Sequence, residues 1–244
     1  MRELKILAVV VALTLITYWG VEPFAHSQMH PHVAPADFAF SDLKESVAPV
    51  KDLKGNATNG ETLVTSNCTA CHSIESKGFP QLMDNASSAS AYGVTPPDLG
   101  SAGKLYSADY LAAFVQDPAS ASKVAHKYVD GKVHPMPQFN WMQPQEIADI
   151  VAYLQSIAPK EMTNKEVFND ACQRCHSIKY ADMKNGTMAA FTPKDDIKKY
   201  MGKLPPDLSQ VIRSRGHEYL ETFINNPQKH LEGTAMPRVG LTEE

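Results

Sequence analysis

The sequence lacks the features of several common protein classes. It has no excess of basic residues, because 23 Lys and Arg against 27 Asp and Glu leave a formal net charge of −4, and this argues against a nucleic-acid binder. It has only four cysteines in 244 residues, which fall as two identical groups with none left over. That arrangement fits neither a disulfide-stapled scaffold nor a lone reactive thiol. No run shows convincing strand alternation.

One long apolar run lies at the N-terminus. The segment Ile6 to Val21 carries no charge, and with a snorkelling Lys5 it reaches the lower limit of about 17–25 residues for a membrane span. A retained transmembrane anchor over residues 1–21 is favoured over a cleaved signal peptide, because no small-x-small cleavage site follows Gly20. The next basic residue is Lys44, which predicts a cytoplasmic N-terminus and a periplasmic remainder.

Residues 22–56 are rich in Pro, His and Ala and show neither a helical nor a strand period. We predict a partly extended periplasmic stalk for them. The three histidines His26, His30 and His32 allow a metal site. A solvated linker next to the membrane is the favoured interpretation.

Beyond the stalk the sequence repeats itself. Four landmarks recur in the same order at offsets of 100 to 109 residues: Cys-x-x-Cys-His-Ser-Ile at 68–74 and 172–178, Pro-Pro-Asp-Leu at 96–99 and 205–208, Tyr-Leu-x-x-Phe at 110–114 and 219–223, and Met-Pro at 136–137 and 236–237. Small changes of offset are what loop insertions produce in a duplicated domain. The sequence therefore predicts two copies of one domain, over residues 57–158 and 159–244.

The pattern within each copy is helical. Ser107 can begin a helix that ends before Pro118, and Pro144 can occupy the first turn of an apolar helix that runs to Ile157. Thr192-Pro193 precedes a short helix that ends at Gly202. The predicted fold class is all-α, with two tandem domains behind an N-terminal transmembrane helix.

The two Cys-x-x-Cys-His pentads carry the predicted chemistry. Two thiols three residues apart can add to both vinyl groups of one protoporphyrin, and the adjacent histidine then faces the iron. Each pentad therefore predicts one covalently bound haem c (Cys68, Cys71 and His72; Cys172, Cys175 and His176). A four-thiolate zinc site is the alternative, but it leaves the two histidines unexplained.

A haem iron that carries electrons needs a sixth ligand, and thioether sulfur raises its reduction potential. Of the ten methionines, only Met136 and Met236 precede a proline, at similar distances past His72 and His176. We predict these two as axial ligands, with His134 as a rival to Met136. Five others are interpreted as packing residues: Met83, Met142, Met183, Met188 and Met201.

Both copies resemble class I cytochrome c domains, because the pentad, Pro-Asp-Leu, tyrosine-bearing helix and Met-Pro follow one another in that family's order. The resemblance implies electron transfer. It also implies that the carbonyl oxygens of Pro97 and Pro206 accept hydrogen bonds from the proximal imidazoles, and that Leu99 and Leu208 pack on the haem.

The second copy has a finer likeness. Its Pro-Pro-Asp-Leu-Ser followed by Arg213-Ser-Arg215 resembles the cytochrome c subunit of bc complexes, above all the di-haem, N-anchored subunits of some bacteria. The resemblance implies propionate contacts for the two arginines. It implies an inner-membrane subunit partnered by cytochrome b and a Rieske iron–sulfur protein, with a soluble cytochrome c or a terminal oxidase as acceptor. A cbb-type oxidase subunit and a di-haem peroxidase, an enzyme, are the alternatives.

The end of the second copy differs from that of the first. After Met136 the first copy continues into the helix that starts at Pro144, whereas after Met236 only eight residues follow. Thr242, Glu243 and Glu244 resemble a helix N-terminus. We therefore expect the native polypeptide to continue past Glu244 with a closing helix.

Overall fold

The computed structural model describes residues 2–29, 34–43, 50, 52–184 and 194–243. Within these ranges helices joined by loops are the regular secondary structure, and β-pairing is limited to isolated bridges. The α-helices are α1 (Arg2–Ile16), α2 (Glu22–Met29), α3 (Ala57–Asn67), α4 (Asn85–Tyr92), α5 (Ala102–Leu105), α6 (Ala108–Gln116), α7 (Pro118–Ala121), α8 (Pro144–Ile157), α9 (Asn164–Ala171), α10 (Lys194–Met201), α11 (Val211–Arg215), α12 (His217–Asn225) and α13 (Pro227–His230).

The N-terminal helix is longer than the sequence predicts. A π-helical turn, Thr17–Val21, joins α1 to α2, and the resulting apolar helix Arg2–Met29 is long enough to cross a membrane or to act as a signal sequence. The prediction that the stalk begins at residue 22 is therefore wrong for its first eight residues. Pro23 lies inside this continuous helix, directly after the π-helical turn, where the Glu22 N–H donates to the Thr17 carbonyl oxygen. A π-turn of this kind is one way in which a helix accommodates a proline.

Residues 34–43, which we call the strap, are also not an extended stalk. Phe40 and Leu43 are buried, and the ring of Phe40 lies 5.6 Å from that of Tyr110 on α6. A 3₁₀ turn, Ser41–Leu43, follows Phe40. The strap packs because its apolar residues find partners far along the chain, which local periodicity does not reveal.

The main hydrophobic core lies in the first copy, where α8 packs along α3 and α5. The predicted helices α6 and α8 are confirmed at their predicted positions. The backbones approach closely at Gly60 on α3, where a Cβ atom would collide with the carbonyl group of Asp149. Asp149 is itself buried, and it accepts hydrogen bonds from the Asn56 backbone at 2.7 Å and from Gln145 at 2.8 Å. These contacts hold α8 against α3, the helix that leads into the first pentad.

The second copy is packed less deeply. None of the residues of α9 is buried, and Ile197 on α10 is the buried apolar residue of its helix. Helix α10 ends before Gly202, as predicted, while Thr192, Pro193 and Met188 lie outside the described residues. Thr242 belongs to no helix; its N–H donates to the Leu105 carbonyl oxygen at 3.0 Å. Glu244 lies outside the described residues.

Candidate functional site

The first pentad continues the turn geometry of α3. Asn56 caps this helix by accepting hydrogen bonds from two backbone N–H groups of its first turn. At its other end the N–H of Cys68 donates to the Val64 carbonyl at 2.8 Å, and the N–H of His72 donates to the Cys68 carbonyl at 2.9 Å. The pentad is therefore a hydrogen-bonded turn, which keeps Cys68, Cys71 and His72 together.

The imidazole of His72 is fixed by a backbone carbonyl. Its Nδ1 lies 2.7 Å from the carbonyl oxygen of Pro97 and donates to it, which leaves Nε2 as the nitrogen with a free lone pair. Burial lowers the pKa of His72, although the bond to Pro97 opposes this effect. A neutral, oriented imidazole is the form that ligates a metal.

Asp98 holds the loop after the pentad against the Pro-Pro-Asp-Leu segment. Its Oδ2 accepts hydrogen bonds from the Ser73 hydroxyl at 2.7 Å and from the Glu75 backbone at 2.9 Å. The N–H of Leu99 donates to the Ser73 carbonyl at 2.9 Å. Leu99 packs against the core together with Cys68. Sequence reasoning missed Ser73 and Asp98 as positioning residues, although both types recur in the second copy.

The second pentad makes the same set of contacts. His176 Nδ1 lies 2.8 Å from the Pro206 carbonyl oxygen, Ser177 donates to Asp207 at 2.7 Å, and the N–H of Leu208 donates to the Ser177 carbonyl at 2.8 Å. The Cys172 N–H donates to α9, as that of Cys68 does to α3. These distances match those of the first copy, so the sequence repeat is also a repeat of geometry.

The two Met-Pro loops share a local device. The backbone N of Met136 lies 3.1 Å from His134 Nδ1, and the N–H of Met236 donates to Thr234 Oγ1 at 3.3 Å. Each loop thus uses the side chain two residues before its methionine as a hydrogen-bond partner. Met136 packs against the same core as Cys68, whereas His134 lies edge-on to Phe114 and Tyr128.

The state of the cysteines bears on the zinc alternative. All four cysteines are free of disulfide bonds. Burial raises the pKa of Cys68 and of Cys172 to about 11, which opposes the thiolate form that zinc requires. Within the described ranges no group of three or more His, Cys, Asp or Glu side chains is placed to hold a metal ion. The four-thiolate zinc interpretation is therefore not supported there.

The remaining candidates are less closely placed. Arg213 and Arg215 are exposed, and the Arg215 guanidinium lies 5.6 Å from the centre of the Tyr219 ring. His26 is exposed on α2, while His30 and His32 lie outside the described residues. Met142 is buried as the sequence predicts.

The residues of the first site fit a covalently attached haem. They supply two free thiols at the spacing of the vinyl groups and an imidazole whose Nδ1 is already hydrogen-bonded. They also supply a wall of apolar side chains that includes Leu99, Met136 and Phe139. A protoporphyrin ring requires this combination of apolar surface and axial donor. The arrangement is suited to an iron that is ligated by protein side chains and shielded from water.

Comparison with known proteins gives the same indication for the first copy. The family model "Cytochrome c" matches residues 57–158. A curated protein of Synechocystis sp., "Cytochrome c-553-like", is 30% identical over 125 residues, which cover 51% of this chain and 91% of that protein. No solved structure matches the chain.

Proposed function

The chain belongs to the cytochrome c family, whose members carry electrons on covalently bound haem c and are not catalytic enzymes, and we propose that it is a membrane-anchored di-haem cytochrome. We propose further that it is the cytochrome c subunit of a quinol–cytochrome c reductase. In this role it passes single electrons from a Rieske iron–sulfur protein, held beside cytochrome b, to a periplasmic cytochrome or a terminal oxidase. The observation that carries the proposal is the identical hydrogen bonding of the two pentads.

In the first site each residue has one task. Cys68 and Cys71 would form the thioether links and His72 would ligate the iron through Nε2, while the Pro97 carbonyl oxygen holds the imidazole. Bound haem supplies reversible one-electron chemistry at iron. No side chain needs to donate or accept a proton, so the work of the protein is to exclude water and to set the potential.

The sixth ligand is assigned to Met136 by comparison of the two loops. His134 and Thr234 occupy the same place, two residues before a methionine whose backbone N they contact. A threonine hydroxyl is not among the usual haem ligands, so the shared role of this position is to shape the loop. By the same comparison Met236 would ligate the second iron. Two thioether-ligated irons favour a carrier over the peroxidase alternative, which needs an open iron.

The proposal of a second haem rests on the geometry of Cys172, Cys175 and His176, because the matched family model covers only the first copy. The distances from Nδ1 to the proline carbonyl oxygen are 2.7 Å and 2.8 Å in the two copies. Asp98 and Asp207 hold equivalent serines at equal distances. A pentad without a haem would have no need of the same second layer of contacts.

The assignment to a bc complex is supported by the sequence after Pro206 and by the N-terminal helix. The exposed pair Arg213 and Arg215 follows the second Pro-Pro-Asp-Leu-Ser, as in the bc subunits that the chain resembles. None of the apolar window of the helix Arg2–Met29 is buried against the rest of the chain, which suits a retained anchor with the haem-binding part in the periplasm.

Haem stoichiometry tests the first part of the proposal. Intact mass and haem quantification of the protein from membranes should give two covalent haems per chain. The paired variants Cys68→Ala/Cys71→Ala and Cys172→Ala/Cys175→Ala should each leave one. A native mass with a single haem would refute the di-haem assignment.

Co-purification tests the second part. Mild detergent extraction should recover the chain with a two-haem cytochrome b and a Rieske protein. Recovery with a copper-containing oxidase would instead support the cbb-type alternative. Rapid cyanide or peroxide binding by the native protein would favour the peroxidase.

A further inference from the structure

Arg174 stands in the middle of the second pentad, where the first pentad has Ala70. Its guanidinium leaves its own copy, and Nη1 lies 3.5 Å from the carbonyl oxygen of Thr95 in the first copy. Thr95 is fully buried and directly precedes Pro96-Pro97, the segment that fixes His72. The Arg174 side chain therefore lies beside the proximal side of the first haem site.

Other contacts fix the two copies at this junction. The Ser101 hydroxyl donates to Asp170 at 2.6 Å, and Tyr106 forms a β-bridge with Leu241. Tyr106 also packs against the core that contains the first pentad. Burial raises the pKa of Tyr106, and both the charge of Arg174 and its hydrogen bond to the tyrosine oppose that rise. The guanidinium is thus held between two haem sites, next to a phenol of the first.

One donor of this guanidinium has no partner. Arg174 Nε is buried and makes no hydrogen bond to any described residue, and no ion pair links Arg174 to a carboxylate in the described part of the chain. Buried guanidinium N–H groups are normally paired, and carboxylate is their preferred acceptor. Among the described residues no acceptor is available for Nε, and a bound group with a carboxylate would supply one.

Haem chemistry supplies two carboxylates for each ring. Arg174 lies between Cys172 and Cys175, which attach the vinyl edge of the second haem, and the propionates occupy the opposite edge of a protoporphyrin. The second haem's own propionates are therefore out of reach of Arg174. The first site, on whose border Thr95 and Tyr106 lie, would hold the other pair of haem carboxylates, on the side that Arg174 faces.

We propose that Arg174 completes the first haem site from the second copy by donating its Nε–H to a propionate of the first haem. The inference rests on the proposed function, because it requires a haem on each pentad. The positive charge of Arg174 stabilises the reduced state of the first iron. The reduction potential of the first haem therefore depends on a residue from the pentad of the second.

The test uses the full chain, purified in detergent with its native haem content. Arg174→Ala places the residue of the first pentad in the second one, and Arg174→Lys keeps the charge but removes the planar donor. Lys165→Gln is the matched control, because it removes an exposed positive charge from the same copy. The two potentials are assigned by Met136→His, which lowers that of the first haem.

Two readouts decide the outcome. Spectroelectrochemical titration of Arg174→Ala should show a lowered potential for the first haem, Arg174→Lys a smaller shift, and Lys165→Gln none. Resonance Raman spectra should show a shifted propionate bending mode in both Arg174 variants, which a merely structural contact would not produce. An unchanged propionate mode, or a shift confined to the second haem's potential, would overturn the inference.

Failure of the proposed function has a different signature. If the native protein carries fewer than two haems by mass, the di-haem assignment fails before Arg174 is changed. If Arg174→Ala loses its second haem, the propionate mode of Arg174→Lys still decides the question.

Discussion

Arg238 links the second Met-Pro loop to the strap and to the first copy. It follows Met236 by two residues and is almost fully buried, with an exposed fraction of 2%. Its Nε donates to the Asn225 carbonyl at 2.8 Å, and its Nη1 lies 2.9 Å from a carboxylate oxygen of Asp42. Its carbonyl oxygen accepts a hydrogen bond from Tyr110 at 2.7 Å. We predict that Arg238→Met loosens this loop.

The magnitude follows from what remains unpaired. Loss of the bond to the buried Asn225 carbonyl costs about 1–3 kcal/mol. Asp42 keeps Lys123 at 2.5 Å and is 36% exposed, so the loss of its charge pair with Arg238 adds only about 0–1 kcal/mol. We expect the free energy of unfolding to fall by about 1–4 kcal/mol. The methionine retains the aliphatic packing beside Phe40, which limits any effect of a cavity.

The effect should depend on pH. Burial raises the pKa of Asp42, but its bonds to Arg238 and Lys123 outweigh this and leave the pKa below its ordinary value of 3.8. The ionised carboxylate therefore stabilises the fold above that ordinary value, and this contribution is lost as the pH falls through the lowered pKa. The part of the difference between wild type and Arg238→Met that comes from Asp42 should disappear in acid.

Denaturant unfolding gives the free energy, and carbon monoxide binding to the reduced protein reports the ligand. If Met236 ligates a second haem iron as proposed, a loosened loop should release it, so part of that haem should bind carbon monoxide and lose its thioether charge-transfer absorption. Lys123→Gln is the control, because it removes the other charged partner of Asp42 and leaves the second Met-Pro loop unchanged. Equal stability of wild type and Arg238→Met, together with no carbon monoxide binding, would refute the reasoning.

Three further predictions concern the rest of the chain. Burial raises the pKa of Asp149, but hydrogen bonds from Asn59, Asn56 and Gln145 outweigh this and leave the pKa lowered. Asp149→Asn should therefore reduce the free energy of unfolding by about 1–3 kcal/mol near neutral pH. This difference should shrink as the pH falls through the lowered pKa. Gly240→Ala should weaken the contact between the chain end and α6 by about 1–3 kcal/mol, because the φ angle of Gly240 is +74° and the new Cβ would meet the Tyr110 ring. Limited proteolysis should cleave the variant earlier than the wild type, and equal protection of both would contradict this account. Replacing residues 1–21 with a cleavable secretory signal should release a soluble holo-cytochrome, and centrifugation would show retention in membranes if partner subunits hold it.

The local elements of this protein could be predicted because their causes are local. Helix α8 begins at Pro144 and ends at Ile157 as the spacing of its apolar residues predicts. The pentads are recognisable because the vinyl edge of a porphyrin fixes the spacing of two thiols and a histidine. The strap was misread because Pro and His obscure any period, and because Phe40 and Leu43 are buried by partners outside their own segment.

The sequence by itself therefore determined the repeat, the candidate haem ligands and four of the helices, α1, α6, α8 and α10. Each of these is marked by residue types at a recognisable spacing. Tertiary structure alone decided the contacts between distant segments: Asp42 with Arg238 across 196 residues, Asn56 with Asp149 across 93, and Arg174 with Thr95 across 79. No periodicity encodes such pairs, because each arises only when packing brings two unrelated faces together. The environment of the candidate haem sites depends on them.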